Sequence, residues 1–516
     1  MRIYFRSVTA VSILFVFVGC KNSVPDNSLQ LALSADIRGF DPALAVDVRS
    51  GKLISLVYDN LVHFGDSTEI LPGIAKSWRI SKDGLEYRFT IKDSVFFHDG
   101  SSLKAQDVVY SISRVLSPEV LSPQSWMFLK IDGADAFMKK KSLSVRGLTA
   151  KNDSTLIIKL KDPFTPFIQY LAMPAASIIN RKMEKSINEF PAGSGPWKLL
   201  VWNRDGEINL VRNENYWGEK PLENTLRFRI LSEAITQSAE FEAGNLDFLS
   251  IPPTEINRWK QKDKHKNRIE YSEELNIWYI GLNCSRPPFD DYRVRRAMNL
   301  SLDREKHLHL LIPGGDLSSS AVPPSLLAGN HKINPYPYDP EGAISLLEEA
   351  GFAGGFDTEL WVGGGSEMFH VLEAFQADWA SVGINVSILH SDWNVFKASV
   401  RNGRPPMYYL NWTADYPDAE NFLYPLFFSE QSMKKRNRYS NPNLDEIILK
   451  IQSLTHGQIR DKLIREACLL LHNDAPWIFL WHKGSYTLTQ SYIFGYKPKL
   501  VFNAERYIYW EKKPVG

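Results

Sequence analysis

Leu71-Pro72-Gly73-Ile74-Ala75-Lys76-Ser77-Trp78 leads through Asp83-Gly84-Leu85-Glu86-Tyr87-Arg88-Phe89 to Phe97-His98-Asp99-Gly100-Ser101, and then to Ala105-Gln106-Asp107-Val108-Val109-Tyr110-Ser111. The Pro-Gly pair turns the chain into a strand around Trp78-Arg79-Ile80. Asp83-Gly84 signals a tight hairpin, with Tyr87 to Ile91 as the returning strand. After a second turn at Asp99-Gly100, the apolar positions Val108, Tyr110, Ile112 and Val115 predict a helix, with Ser102 as its expected cap. Upstream, Leu29 to Leu33 alternates as a first strand and breaks at Gly39-Phe40-Asp41-Pro42. Leu53, Ile54, Val57 and Leu61 give helical spacing over 48–62. Downstream, Asp339 to Gly351 and Ala374 to Gly383 read as helices, and Ile384 to Leu389 as a strand.

At 516 residues the chain exceeds one ordinary domain several-fold, so two or three lobes are expected. A hydrophobic fraction of 44% with 23% charged residues is that of a globular protein. The 14 Trp, 21 Tyr and 28 Phe suit large cores and a large ligand. A net charge of +1 and the lack of a long basic run argue against nucleic acid as a partner.

Residues 1–19 read as a signal peptide. Arg2 and Arg6 open it, and the apolar run Val8 to Val18 is too short to cross a bilayer as a helix. The run ends in Phe17-Val18-Gly19-Cys20, which resembles the lipobox of bacterial lipoproteins, with Phe17 where Leu is usual. That resemblance implies lipid attachment at Cys20, a short tether over 20–27 and an anchor to a membrane. Removal of 1–19 leaves 58 basic against 59 acidic side chains, a net charge of −1. Cys284 and Cys468 alone make no disulfide framework and read as small buried residues, Cys284 in a strand and Cys468 in a helix. The histidines show no zinc spacing, and no metal or cofactor is expected.

The stretch Asn411-Trp412-Thr413-Ala414-Asp415-Tyr416-Pro417-Asp418-Ala419 follows Pro405-Pro406-Met407-Tyr408-Tyr409-Leu410, an apolar run of strand type. A strand end is where α/β proteins place ligand crevices. A carboxylate beside an aromatic wall is a good receptor for an ammonium group.

The quoted run from Leu71 to Ser111 is similar to the signature region of the family 5 bacterial extracellular solute-binding proteins, the oligopeptide, dipeptide and nickel receptors of ABC importers. Pro191-Ala192-Gly193-Ser194-Gly195-Pro196-Trp197, Asn215-Tyr216-Trp217-Gly218 and Phe241-Glu242-Ala243-Gly244-Asn245-Leu246-Asp247 resemble later segments of that family in the same order. So do Pro288-Phe289-Asp290-Asp291, Tyr439-Ser440-Asn441-Pro442 and Asp474-Ala475-Pro476-Trp477-Ile478. The resemblance runs from about residue 28 to 500.

It implies an α/β, two-lobed periplasmic-binding-protein-like fold of type II, with an extra inserted subdomain and a ligand cleft between the lobes. Lobe 1 is expected over 28–58, 187–276 and 488–516, the inserted subdomain over 59–186, and lobe 2 over 277–487. The implied function is capture of peptides, namely oligopeptides, by a monomer that delivers them to an ABC permease and its ATPase from the cell envelope. Asp415 would pair with the peptide's α-ammonium, Trp412 and Tyr416 would stand beside it, and Asp418 would cap the next segment. The loop Asp36-Ile37-Arg38 would face Asp415 from the other lobe and offer its backbone to an extended peptide. Dipeptide-type members hold the peptide carboxylate with an Arg upstream of the helix that corresponds to Ala374–Val382. Here that region reads Trp361-Val362-Gly363-Gly364-Gly365-Ser366 and has no Arg.

Three rival readings stay open on the sequence. One is a receptor of the same fold for a nickel chelate or a saccharide, and another is a peptide sensor without transport. The third is an enzyme using Asp415 and Asp418 as a carboxylate pair. The sequence holds no G-x-S-x-G, H-E-x-x-H or Walker motif, so it is read as a non-enzyme with no catalytic residues.

Overall fold

The computed structural model describes residues 28–311, 315–327, 333–364 and 369–513. The expected signal peptide 1–19, Cys20, the expected tether to Asn27, and Gly365 and Ser366 lie outside the described residues.

The first lobe is built on a four-stranded sheet in the order Leu29–Leu33, Thr225–Ile230, Glu207–Arg212, Trp197–Asn203. The first pair is parallel and the others antiparallel. Leu29, Leu31 and Leu33 are buried while Gln30 and Ala32 are half-buried, the period-two pattern of a sheet with one core face. The helix Val48–Val57, capped by Asp47, supplies Leu53, Ile54, Leu56 and Val57 to that core, with Trp197 and Phe228.

The inserted subdomain holds a second antiparallel sheet in the order Ala75–Ile80, Glu86–Ile91, Thr155–Lys159, Leu148–Ala150. Its hairpin turns at Gly84, whose φ of +71° lies in the left-handed region open to glycine. The helix predicted after Gly100 spans Ala105–Val115 and buries Ala105, Val108, Ile112 and Val115. Its cap differs from expectation. Asp107 accepts from the Lys104 backbone N–H at 2.9 Å, whereas Ser102 is drawn into a β-bridge with Phe96.

The second lobe is a mixed sheet in the order Ile384–Ser391, Phe356–Gly363, Met407–Thr413, Asn276–Leu282, Trp477–Thr489. Core residues lie on both faces at its middle, so Asn276–Leu282, Met407–Tyr409 and Trp477–His482 are buried in near-continuous runs, whereas Phe356–Gly363 and Ile384–Ser391 at the edge alternate. Trp477 and Phe479 enter one core with Tyr279 and Tyr408, while Ile478, Leu480 and Trp481 enter the opposite core with Leu360 and Met407. Cys468 is buried in the helix Gln458–Asp474. Cys284 is half-buried just past the strand Asn276–Leu282 rather than within it, because that strand ends at Leu282.

Trp477–Thr489 belongs to both lobes. Its first half pairs with Trp278–Gly281, and its second half pairs with Ile269–Glu273 and Phe248–Ser250. The chain then returns to the first lobe, where Tyr507 and Trp510 join the core. Arg506 Nη2 donates to the buried Asp59 Oδ1 at 2.7 Å, and Asp59 also accepts from Trp217 Nε1 at 2.7 Å and Ser194 Oγ at 3.1 Å. Truncating one partner of a buried pair strands the other charge. Arg506→Ala is therefore expected to lower unfolding free energy by about 3–5 kcal/mol, measured by urea denaturation; a loss within ±0.5 kcal/mol would show that this pair does not hold the terminal segment.

Candidate ligand cleft

A cavity of about 440 Å³ opens between the lobes. The first lobe contributes Ala45–Val48 and Gly51, and the subdomain Gln124 and Met173–Ala175. The crossing strands contribute Ser272, Glu274, Leu275 and Ser485, the second lobe Thr413–Pro417, and the returning C-terminal segment Lys499–Phe502.

Asp415 reaches this cavity through a sheet ladder. Met407–Thr413 pairs antiparallel with Asn276–Leu282, and Ala414 N–H donates to Leu275 O at 2.8 Å, extending the ladder by one residue. The chain then leaves the sheet, and Asn421 holds it there. Asp415 N–H donates to Asn421 Oδ1 at 2.9 Å, and Trp412 Nε1 donates to Asn421 O at 3.1 Å. Asp415 is exposed to the open cavity, yet protein surrounds that cavity closely. Loss of water there raises its carboxyl pKa, against smaller opposing effects of Asn421 and the Arg436 charge. Asp415 forms no ion pair among the described residues.

Two further carboxylates line the cavity. Asp47 is committed to its helix, accepting from Ser50 N–H at 3.0 Å and Ser50 Oγ at 2.8 Å. Glu274 stands at the end of the strand next to that of Asp415, and desolvation raises its carboxyl too. Lys499 also lines the cavity but pairs with Asp66. The cavity therefore has an acidic character. Sequence reading passed over Glu274, although Glu274-Leu275-Asn276 opens a strand and carries the same signal as the residues that close one.

Tyr416 lines the cavity, but most of its side chain is committed elsewhere. It is buried in the subdomain core, its ring 4.8 Å from that of Tyr170, and its hydroxyl is taken up by Glu420 and Tyr170. Asp36, Ile37 and Arg38 do not line the cavity. Asp36 accepts from Trp202 Nε1 at 2.9 Å and Asp205 N–H at 3.0 Å, which ties its loop to a hairpin. Ile37 is core, and Arg38, largely exposed, stands 4.0 Å from the lining carboxylate Asp47. The first lobe meets Asp415 with Ala45–Gly51 instead. Asp418 accepts from Glu420 N–H at 2.8 Å, at the start of the helix Glu420–Phe427, and from Arg460 Nη2 at 2.7 Å.

With this geometry in view, the chain was compared with known proteins. The family model for bacterial extracellular solute-binding proteins, family 5 Middle, matches residues 69–434. This chain belongs to that family. Among relatives of this family 5 receptor, heme-binding protein A of Haemophilus influenzae is 30% identical, covering 89% of this chain and 87% of that protein. The dipeptide-binding protein of Escherichia coli is 27% identical and covers 92% of each. Among solved structures, HbpA2 from Haemophilus parasuis has a TM-score of 0.85 at 26% identity, covering 94% of this chain and 100% of that one. The periplasmic binding protein DppA from Helicobacter pylori, in complex with the peptide STSA, has a TM-score of 0.76 at 26% identity, covering 94% and 98%. Family 5 solute-binding proteins are two-lobed α/β receptors of the cell envelope, which is the architecture described above.

The buried group beneath Asp415 makes this family 5 receptor's stability depend on pH. Glu420 is fully enclosed, and burial pushes its carboxyl up to about 7. The folded chain keeps this proton up to about pH 7, whereas the unfolded chain releases it near 4.5. Folding stability contributed here is thus full below 4.5 and falls as pH rises to about 7. Glu420→Gln is expected to flatten the wild-type decline in denaturation midpoint across that interval; parallel curves for the two proteins would contradict the assignment.

Proposed function

We propose that this chain captures peptides in the interlobe cavity and hands them to an ABC permease. The observation that carries this reading is Asp415, a carboxylate that faces the interlobe cavity from a strand end and has no ion-pair partner among the described residues. A buried carboxylate and a buried ammonium each cost free energy alone and relieve one another when paired. Asp415 anchors the α-ammonium, and Trp412 shapes the neighbouring surface. Tyr416 contributes its backbone position alone, since its hydroxyl is occupied. Relatives named as dipeptide-, di/tripeptide- and glutathione-binding proteins support the peptide class. The chain acts as a binding protein without catalytic residues, as a monomer, anchored to a membrane of the cell envelope through a lipidated Cys20 and facing the periplasmic or extracellular side.

A second reading, a porphyrin ligand, is favoured by the similarity to heme-binding protein A and HbpA2. The carboxylates Asp47, Glu274 and Asp415 in the lining oppose the propionates of such a ligand, so the peptide reading is preferred.

Asp415→Asn is expected to weaken binding of a tripeptide mixture at least tenfold in calorimetry, and unchanged affinity would sink the anchor. Binding to the wild type should weaken as pH falls into the raised range of Asp415, because protonation removes the charge that faces the ammonium. Cys20→Ser is expected to move the protein from the membrane to the soluble fraction on cell fractionation; retention at the membrane would argue against lipid attachment.

A further inference from the structure

Behind the wall of the interlobe cavity lies a second, much smaller cavity of about 20 Å³. Ala172 and Asn503 line it, whereas their neighbours Met173 and Phe502 line the interlobe cavity. Asp59 and His63 reach it from the stretch after the helix Val48–Val57, and Arg506 from the returning C-terminal segment. A volume of about 10–15 Å³ is enough to hold one water molecule.

Three side chains of this lining each carry one buried atom that bonds no other protein group: His63 Nδ1, Asn503 Oδ1 and Arg506 Nε. The chemistry of two of them is fixed. Asn503 Nδ2 donates to Ala172 O at 2.9 Å. A carbonyl oxygen only accepts, so the amide is oriented by this bond and Oδ1, an acceptor, is left over. Arg506 Nη2 donates to Asp59 Oδ1 at 2.7 Å and Nη1 to Tyr216 Oη at 3.2 Å, which leaves Nε–H, a donor. The third atom, His63 Nδ1, accepts or donates according to its tautomer. Buried polar atoms that stay unbonded cost free energy, so a shared partner is favoured.

One water molecule answers this set. It accepts from Arg506 Nε–H and donates to Asn503 Oδ1. One hydrogen and one lone pair remain, so it serves His63 Nδ1 in either tautomer. A buried water typically makes about three such bonds. An ion is the poorer fit. Arg506 and Asp59 neutralise one another. Burial, with a smaller effect of the Arg506 charge, lowers the His63 pKa to about 4, so its ring is neutral at neutral pH.

We infer that this cavity is a binding site for one structural water, which joins His63 of the inserted subdomain to Asn503 and Arg506 of the C-terminal segment. The site goes beyond the peptide reading and does not depend on it. The C-terminal segment carries Lys499–Phe502 into the lining of the interlobe cavity, and the water ties the back of that wall to the subdomain.

The test is a high-resolution crystal structure of the protein. An ordered water within about 3.2 Å of His63 Nδ1, Asn503 Oδ1 and Arg506 Nε is expected. An ion at that point, direct bonds among the three groups, or no density bonded to them overturns the site. A second measurement reads the bond to His63. His63→Phe keeps a ring and removes Nδ1, and it is expected to lower the midpoint of urea unfolding. An unchanged or raised midpoint overturns the part assigned to His63.

Discussion

The architecture depends on one strand, Trp477–Thr489, whose hydrogen-bonded ladder is shared by the two lobes. Its first half is buried on both faces of the second lobe, and its second half pairs with the other crossing strand, Ile269–Glu273. Where the two halves meet, Gly484 lies opposite Glu273, and a Cβ there would come within 2.4 Å of the Tyr271 ring. The lobes are therefore joined by a closely packed, two-stranded connection. Ser272, Glu274, Leu275 and Ser485 line the cavity because the crossing strands pass its floor. Asp415 joins them because its strand is the next one in the sheet.

The distribution of charge separates structural from ligand-directed groups. Three deep aspartates elsewhere are paired with arginine: Asp41 with Arg114 at 2.7 Å, Asp59 with Arg506 at 2.7 Å and Asp418 with Arg460 at 2.7 Å. Such pairs repay their desolvation when geometry and further hydrogen bonds are good. Asp415 departs from this pattern, since its side chain faces a cavity that offers it no bonded cation. The Arg436 charge, which acts on Asp415 from outside the cavity lining, is placed over the Trp412 ring.

Much of the secondary structure was legible from local pattern. The strand Leu29–Leu33, the hairpin at Asp83-Gly84 and the helices ended by Gly351 and Gly383 follow from alternation, turn chemistry and left-handed glycines. The sheet orders and the strand shared by both lobes were not legible in that way; the family resemblance implied two lobes joined by crossing segments. Site residues were harder to separate from structural ones. Asp36 and Tyr416 look like cleft groups in the sequence, each polar and next to a strand end. Asp36 is tied to Trp202, 166 residues away, and Tyr416 bonds Tyr170, 246 residues away, as well as the local Glu420. Glu274 and Arg436 escaped notice for the same reason, because only the folded sheet sets them beside Asp415 and Trp412. A local pattern marks where a polar group leaves a strand; which partner satisfies it is a tertiary matter.

The central claim is that the cavity at Asp415 holds peptides. Native mass spectrometry of residues 21–516, purified from cells with any retained ligand and then acid-released for sequencing, tests it most directly. The account predicts a series of bound masses that resolve into short peptides with free N-termini. A single retained mass that is not a peptide, such as a porphyrin, would contradict it.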